Sequence, residues 1–318
     1  MPTFKTPNRH GYSVKFSPFG AGQLVVATSQ YFGFAGGGTL FVLQVTPDGN
    51  LVEVANSKWK DGLFDVTWSE CDPNIVVAAS GDGSLQLWNV KDLQFPLKVF
   101  QEHTKEVYSL DWSQCRSEQL ILSASWDTSI KLWDPFSPIS LSTFCGHHEL
   151  VYNAVWSPLI PSCFASVSGD GFLKIWSSNL PSRSPLGLHV HNAEVLTCTW
   201  SKFDQNLIAT GASDGLIRGW DLRNFSAPIF EQRGCQYAVR KIQFSPHHTS
   251  TLASVSYDFT TRIWDYRISC EALEVITHHS EFVYGLDFNV NREGELADCG
   301  WDSLVHVFTP ATFSRVTK

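Results

Sequence analysis

Short runs of alternating apolar and polar residues follow one another along almost the whole chain. Segments such as Val107–Trp112, Leu120–Ser125 and Ile130–Trp133 are rich in β-branched and aromatic residues and are separated by turns of Asp, Gly and Ser. No stretch keeps an apolar period of 3.6 residues for long, so we do not expect helices to build the core. The pattern predicts an all-β protein of many short strands.

The predicted strands recur with a fixed period. Aromatic residues stand 44 positions apart, each is followed about 14 residues later by an Asp, and a second aromatic stands six residues after that Asp. The first aromatics are Trp68, Trp112, Trp156, Trp200, Phe244 and Phe288. The Asp residues are Asp82, Asp127, Asp170, Asp214, Asp258 and Asp302. The second aromatics are Trp88, Trp133, Trp176, Trp220, Trp264 and Phe308. This period is typical of four-stranded propeller blades.

A histidine precedes the first aromatic by nine residues in four of the repeats, at His103, His147, His191 and His279. With these histidines, the pattern resembles the WD-repeat family over essentially the whole chain. The resemblance implies one domain, residues 1–318, folded as a seven-bladed β-propeller. Clear repeats run from about 59 to 308, and a degenerate first blade is predicted at about 10–45. Either Thr3–Lys5 or Thr312–Val316 would close the last blade, and the sequence does not decide between them.

Composition excludes several classes of function. The 318 residues are 43% hydrophobic, carry a net charge of −8 and contain no Lys/Arg run, which argues against a nucleic-acid or anionic membrane surface. No apolar run approaches the ~18 residues that a membrane span needs. The eight Cys are dispersed without a C-x-x-C pair, so we expect reduced thiols in a cytosolic compartment.

No cofactor or metal site is predicted. Paired histidines occur at residues 147–148, 247–248 and 278–279, but the repeat accounts for several of them and none has Cys or acid at ligand spacing. The glycine-rich stretch 33–38 lacks the G-x-G-x-x-G spacing and opens no predicted helix, so nucleotide binding is unsupported.

Side chains that imitate a hydrolase triad recur with the repeat. His103, Ser125 and Asp127 are expected to lie together, and His147, Ser168 and Asp170 repeat the arrangement in the next blade. In the resembling family such residues form a buried tetrad with the second aromatic Trp of the blade. A catalytic site is needed once, whereas this arrangement recurs, so we interpret it as structural and predict no enzyme.

Differences between repeats point to a binding face. The position five residues before the first aromatic is almost always Val, which marks a buried strand residue. The positions one residue later are Phe64, Tyr108, Tyr152, Leu196, Arg240 and Tyr284. Large aromatics also stand directly before the turn Asp, at Trp126, Tyr257 and Trp301. The resemblance implies that both positions open onto the top rim of the central channel, where they would form an apolar patch.

One carboxylate per blade joins these aromatics in five of six repeats. The acids are Asp61, Glu106, Glu149, Glu194 and Glu281. A ring of acids around an aromatic mouth favours a ligand that is basic and apolar on one face, such as an amphipathic helix.

The sequence segments between the repeated positions resemble one branch of the WD-repeat family, the peroxisomal targeting signal type 2 receptors. The resemblance runs from the first blade to the last, in segments such as Gly62–Glu70, Gly81–Trp88, Glu106–Ser113, Tyr237–Lys241 and His278–Phe282. It implies a cytoplasmic receptor, cycling to the peroxisomal matrix, that binds cargo proteins such as a thiolase through an N-terminal signal. It further implies a co-receptor, either the long form of the type 1 signal receptor or a fungal-type equivalent, and docking proteins reached through that co-receptor.

The signal of that family has the form Arg-[Leu/Val/Ile/Gln]-x5-[His/Gln]-[Leu/Ala], and its motif residues share one face of a helix. We assign Glu106, Glu194 and Asp61 to the signal's Arg. Its apolar side is assigned to Tyr108, Trp126, Tyr152, Tyr257 and Trp301.

Two other binding classes remain open. Trp220-Asp221-Leu222-Arg223 and Trp264-Asp265-Tyr266-Arg267 resemble the W-D-x-R boxes of substrate adaptors of a cullin-4 ubiquitin ligase, although such an Arg can simply pair with a neighbouring acid. A histone-binding propeller also recruits basic helices, but those relatives carry a long N-terminal helix, and Pro2 and Pro7 break the corresponding segment here.

Overall fold

The computed structural model describes residues 1–115 and 118–314 and contains seven four-stranded antiparallel sheets. Each sheet follows the order of its strands along the chain, except that the last sheet takes its fourth strand from the N-terminus. The prediction of a seven-bladed β-propeller is therefore confirmed.

The first strand, β1 (Thr3–Lys5), belongs to the last blade. Blade 1 contains β2 (His10–Phe16), β3 (Gln23–Ser29), β4 (Gly38–Val45) and β5 (Leu51–Trp59), with one 3-10 turn at Tyr31–Gly33. Blade 2 contains β6 (Leu63–Trp68), β7 (Ile75–Ser80), β8 (Ser84–Asn89) and β9 (Lys98–Gln101). Blade 3 contains β10 (Val107–Trp112), β11 (Ile121–Ser125), β12 (Ser129–Trp133) and β13 (Ser142–Cys145).

The other blades follow the same plan. Blade 4 contains β14 (Val151–Trp156), β15 (Cys163–Ser168), β16 (Phe172–Ser177) and β17 (Leu186–His189). Blade 5 contains β18 (Val195–Trp200), β19 (Leu207–Ala212), β20 (Ile217–Asp221) and β21 (Phe230–Gln232). Blade 6 contains β22 (Val239–Phe244), β23 (Thr251–Ser256), β24 (Thr261–Asp265) and β25 (Glu274–Ile276). Blade 7 contains β26 (Val283–Phe288), β27 (Leu296–Gly300), β28 (Leu304–Phe308) and β1, and the short helix α1 (Ala311–Ser314) follows it.

The N-terminal strand closes the ring. Thr3 pairs with His306 and Lys5 with Leu304, so β1 covers the edge that β28 would otherwise expose. Of the alternative segment Thr312–Val316, residues 312–314 lie in α1 and residues 315–316 fall outside the described residues. Blade 1 extends to Trp59, so its outer strand lies beyond the predicted boundary at about 45.

The apolar core lies between neighbouring blades. Each blade contributes inward-facing aliphatic residues that pack against the aromatic residues of the next, as Val77 and Leu85 of blade 2 do against Trp112 and Trp133 of blade 3. Seven such clusters surround the ring, one for each pair of neighbours. The repeated aromatics are therefore explained by inter-blade packing.

Acids on the inner strands link the blades around the channel. Asp65 accepts a hydrogen bond from the Leu110 amide of the next blade at 2.8 Å, and Asp111 accepts one from the Trp156 amide at 2.7 Å. Asp287 joins the last blade to the first through the Phe16 amide at 2.8 Å. These bonds satisfy the carboxylates and fix the inner strands relative to one another.

The predicted tetrad exists, but with a different hydroxyl group. In blade 3, His103 lies 2.7 Å from Asp127 and 2.7 Å from Ser123 Oγ, and Trp133 Nε1 donates to the same Oγ at 2.8 Å. Ser125, predicted as the member, instead bonds the Lys105 carbonyl. Ser123 and Ser125 point to the same face of β11, because side chains alternate along a strand, so the spacing could not tell which of the two hydroxyls reaches His103.

The same correction holds in blade 4, where Ser166 rather than Ser168 joins His147, Asp170 and Trp176. Blade 5 has a complete tetrad too, with Thr210 as the hydroxyl. Blade 6 replaces the histidine with Cys235, and Arg262 donates to the turn Asp258 at 2.7 Å instead. Each arrangement ties a blade turn to its sheet, which supports a structural role.

Candidate binding face at the channel mouth

A β-bulge positions one side chain of every blade at the mouth of the channel. In all seven inner strands the pairing register shifts across one residue, the third of β2 and the second of the other six strands, as between Val107 and Ser109 in blade 3. The residues at the bulges are Tyr12, Phe64, Tyr108, Tyr152, Leu196, Arg240 and Tyr284. A bulge re-aims its side chain, so this position can vary between blades without disturbing the sheet behind it.

Four of the bulge residues form a continuous aromatic floor. Tyr12, Phe64, Tyr108 and Tyr284 are all buried and cluster together. The ring centroids of Tyr12 lie 5.0 Å from Phe64 and 4.8 Å from Tyr284, and Phe64 lies 5.4 Å from Tyr108. The floor is therefore a packed layer, with little of these rings accessible from above.

A second, half-buried aromatic layer lies on this floor. It consists of Trp126, Tyr152, Tyr257, Phe282 and Trp301. Trp126 stacks on Tyr108 with the ring centroids 5.0 Å apart, and Trp301 stacks on Tyr284 at 4.9 Å. These aromatics present the apolar surface that a ligand can reach, because the floor beneath them is covered.

Arg240 lies at the centre of the floor. Its guanidinium carbon is 4.7 Å from the Tyr108 ring centroid and 5.1 Å from that of Tyr284, and the side chain is buried. Burial by itself lowers the pKa of Arg240, but Tyr108, Tyr257, Tyr284 and Asp65 raise it by more. The net pKa is above the usual value, so the guanidinium stays charged. Arg240 supports the floor through cation–π contacts, whereas the sequence placed it among the ligand-binding residues.

Burial keeps the phenols of Tyr152 and Tyr257 neutral at physiological pH, because it raises the pKa of both. Burial, followed by the neighbouring Tyr108, raises the pKa of Tyr257 to about 12. The pKa of Tyr152 rises as well, mainly through burial and then through Glu194, whose carboxylate accepts the Tyr152 hydroxyl at 3.3 Å. The negative charge of the mouth therefore comes from the carboxylates.

Two acids flank a glycine notch on blade 4. A Cβ built on Gly169 would lie 3.3 Å from Glu149 Cβ, 3.8 Å from Glu194 Oε1 and 3.8 Å from the Tyr152 ring. Both glutamates are exposed, and blades 3, 6 and 7 carry Trp or Tyr where this glycine stands. The missing side chain leaves a gap with two carboxylates and one aromatic ring at its border, which suits a guanidinium group.

The other predicted acids are less concentrated. Asp61 lies over Gly81 of blade 2, where its Oδ1 atom would be 2.9 Å from an added Cβ, and it also accepts the Gly62 amide at 2.7 Å. Glu106 is half-buried and Glu281 is exposed, each in the loop that leads into its inner strand. Leu196 is buried at the blade 5 bulge and lies outside the aromatic cluster.

Sequence comparison missed several members of the mouth. Tyr12 stands four residues before Phe16, which is the spacing used for the other blades. The repeat spacing would therefore have identified Tyr12 if blade 1 had been included in the comparison. Phe282 follows Glu281 directly and packs on Tyr257 at 4.6 Å. The ring centroids of Phe32 and Trp301 lie 5.1 Å apart, because the blade 1 loop folds over the mouth. A hydrogen bond of 2.7 Å from the Tyr12 hydroxyl to the Phe32 carbonyl holds this loop. That contact has no signal in the repeat.

The W-D-x-R arginines make local contacts. Arg223 donates to both Asp221 carboxylate oxygens, with Nη2 2.6 Å from Oδ2, and the Arg267 guanidinium lies 5.9 Å from the Tyr266 ring. Both contacts agree with pairing inside the blade.

In the part of the chain that the structure describes, no helix is long and apolar enough to span a membrane.

The repeats match a known family model. The model described as WD domain, G-beta repeat, matches residues 49–89, 94–134, 183–221 and 226–265. The chain is thus a WD-repeat β-propeller, with an aromatic floor and an acidic rim at one end of its channel.

Full-length relatives narrow the class. The chain is 48% identical to the peroxisomal targeting signal 2 receptor of Mus musculus, over 97% of this chain and 96% of the relative. It is 49% identical to that of Homo sapiens, over 96% and 94%, and 34% identical to that of Saccharomyces cerevisiae, over 94% and 96%. The chain belongs to the peroxisomal targeting signal 2 receptor family.

Proposed function

We propose that the chain is a non-catalytic import receptor that binds the N-terminal type 2 signal of peroxisomal cargo proteins at the channel mouth. The observation that carries the proposal is the juxtaposition of an accessible aromatic layer with a carboxylate-lined notch. A helix with one basic and several apolar residues on the same face complements both surfaces at once.

The notch is proposed to receive the signal's Arg. Glu149 and Glu194 offer two carboxylates across Gly169, and a guanidinium can donate to both while its face packs on Tyr152. Glu106 and Asp61 add negative potential from neighbouring blades and steer the approach of a cationic helix. The signal's apolar residues would then lie on Trp126, Tyr257 and Trp301.

The finer features of the role are also proposed. The receptor would bind cargo such as a thiolase in the cytoplasm, join a co-receptor, and reach the peroxisomal matrix through docking proteins that the co-receptor contacts. Membership of the family supports this cycle.

Fluorescence anisotropy of a labelled type 2 signal peptide against the purified chain tests the proposal, with and without a candidate co-receptor. We expect binding that weakens with salt and is lost with an Arg→Ala peptide. Reversing Glu106 and Glu194 together, as Glu106→Lys and Glu194→Lys, should abolish binding without unfolding the protein. The matched control reverses two acids in exposed loops between the third and fourth strands of their blades, Asp48→Lys with Glu271→Lys. Equal affinity of the two double variants would overturn the proposal.

A further inference from the structure

Blade 7 departs from the repeat at three positions that converge in space. The residue before the tetrad histidine is His278, where other blades have Glu102, Gly146, Val190 and Gly234. The tetrad hydroxyl is replaced by Asp298, where others have Ser123, Ser166, Thr210 and Ser254. A basic strand position becomes His306, where others have Lys131, Lys174, Arg218 and Arg262. Packing needs none of these changes, because the other blades pack without them.

The three departures join the tetrad histidine, His279, in one cluster. One ring nitrogen of each of His278, His279 and His306 lies within 4.8 Å of those of the other two. Within the described ranges, this is the one group of three or more His, Cys, Asp or Glu close enough to hold a metal ion. The ring of His306 lies 4.2 Å from that of His278 and 4.8 Å from that of His279.

Asp298 adds a carboxylate beside two of these imidazoles. His278 Nε2 lies 2.8 Å from one of its oxygens and His279 Nε2 lies 3.1 Å from the other, while the carboxylate is fully buried. Three imidazoles and one carboxylate form a donor set that zinc accepts in tetrahedral geometry. Ligand atoms around zinc lie about 3.3 Å apart, so binding would draw the imidazole nitrogens together by up to about 1.5 Å.

Two histidines are oriented by partners outside the donor set. His279 Nδ1 is 2.9 Å from Asp302, which leaves Nε2 towards Asp298, and His306 Nδ1 is 2.9 Å from Thr3 Oγ1. His306 Nε2 is buried and has no hydrogen-bond partner among the described residues. Such outer contacts fix the tautomer and direction of metal-binding histidines.

The cluster is accessible from the surface. His278 keeps 14% of its side chain exposed, and it borders an open pocket of about 420 Å³ whose other walls include Pro2, Ile276 and Pro310. A metal ion can therefore enter without unfolding the blade.

From these observations we propose a zinc site formed by His278, His279, His306 and Asp298 at the seam where β1 closes the ring. Because Thr3 of β1 bonds His306 and pairs with it in the sheet, the bound ion holds the N-terminal strand against β28. None of the four residues belongs to the aromatic layers of the channel mouth.

The test uses the full chain without a histidine tag, treated with a chelator and dialysed. We expect one zinc per chain by titration against a chromophoric chelator, and visible absorption bands of a tetrahedral complex when cobalt replaces zinc. Zinc at 100 times its Kd should raise the Tm by roughly 4 °C. A zinc-free chain whose Tm does not respond to zinc would overturn the proposal.

Two variants and one control locate the ion. His306→Gln and, independently, the more accessible His278→Gln should weaken zinc binding at least about 100-fold, with the fold checked by circular dichroism. His248→Gln removes a half-buried histidine of another pair and should bind zinc like the wild type. Zinc retained at full affinity by both cluster variants would place the ion elsewhere and refute this site.

Discussion

The turn tetrads and the channel mouth are built from the same repeat but use it in opposite ways. Blades 3 and 4 build the tetrad from the same four side-chain types, as His103, Ser123, Asp127 and Trp133 show, and the corresponding distances agree within 0.2 Å. Blade 5 changes only the hydroxyl, to Thr210. The mouth keeps only the bulge and changes the side chain from blade to blade. Repetition therefore marks what the ring needs to fold, and variation at a fixed backbone position marks what it recognises.

The largest expected effect separates the two regions by stability. Asp127→Ala removes the partner of His103 and the acceptor of the Thr104 and Ser129 amides. Since a buried charged network is broken on one side only, we expect a loss of about 3 kcal/mol in the free energy of unfolding. Urea denaturation measures it. Signal affinity should stay unchanged at temperatures where the variant is folded, and a parallel loss of affinity would break the separation.

A matched pair of serine variants tests which hydroxyl belongs to the blade 3 tetrad. Ser123→Ala leaves the buried Trp133 indole N–H and His103 Nε2 without their hydrogen-bond partner and should cost about 2–3 kcal/mol. Ser125→Ala, two residues along the same strand, should cost about 0.5–1 kcal/mol because it loses only turn contacts. Equal costs in urea denaturation would contradict the assignment of the hydroxyl.

The channel wall below the mouth provides a pH-dependent test. Burial raises the pKa of Asp111 to about 6, although the Trp156 amide and nearby lysines lower it. The folded chain therefore binds a proton that the unfolded chain releases at a lower pH, so the contribution of Asp111 to stability falls as the pH rises from about 4 to 6.

Asp111→Asn keeps an acceptor for the amide and removes this titration. The variant should gain stability relative to wild type by about 2 kcal/mol between pH 4 and pH 7, measured by denaturation at both pH values. Parallel pH profiles of the two proteins would show that Asp111 titrates normally. Affinity for the signal should not change in the Asp111→Asn variant, because Asp111 lines a cavity that none of the aromatic residues of the mouth borders.

The smallest effect concerns the mouth alone. Trp126→Ala removes an accessible ring of the upper aromatic layer and should weaken the signal peptide by about 10- to 30-fold with a Tm close to wild type. Anisotropy titration measures the affinity and thermal melting the stability. A large fall in Tm with unchanged affinity would assign Trp126 to the scaffold.

The seven-bladed ring could be predicted from the sequence because the repeat period has a physical cause in the packing between blades. Each blade must present the same apolar face to its neighbour, so Trp112 and its equivalents recur at one spacing, and the fold follows from them. The tetrad serine of β11 was misassigned because Ser123 and Ser125 share one face of the strand, and spacing alone does not say which of them reaches His103. The contact of Phe32 with Trp301 and the convergence of His278, Asp298 and His306 could not be predicted, since they depend on tertiary placement.

The sequence indicated which residues lie at the channel mouth but not how deeply each of them is buried there. Comparison of repeats found Tyr108, Arg240 and Trp126 as varying residues, yet it could not tell the covered floor from the accessible layer. The difference arises because the residue before the turn Asp lies above the bulge residue of the same blade, as the stacking of Trp126 on Tyr108 shows. Periodicity gives the blade of a residue, and only packing gives its height in the channel.

A charge exchange between receptor and signal tests the central claim most directly. The peptide carries Arg→Glu at the first motif position, and the receptor carries Glu149→Lys with Glu194→Lys on either side of Gly169. Anisotropy should show that the altered receptor binds the altered peptide at least tenfold more tightly than the wild-type receptor does, and that it loses the natural peptide. If both receptors rank the two peptides in the same order, the signal's Arg does not lie at this notch and the account of the mouth is wrong.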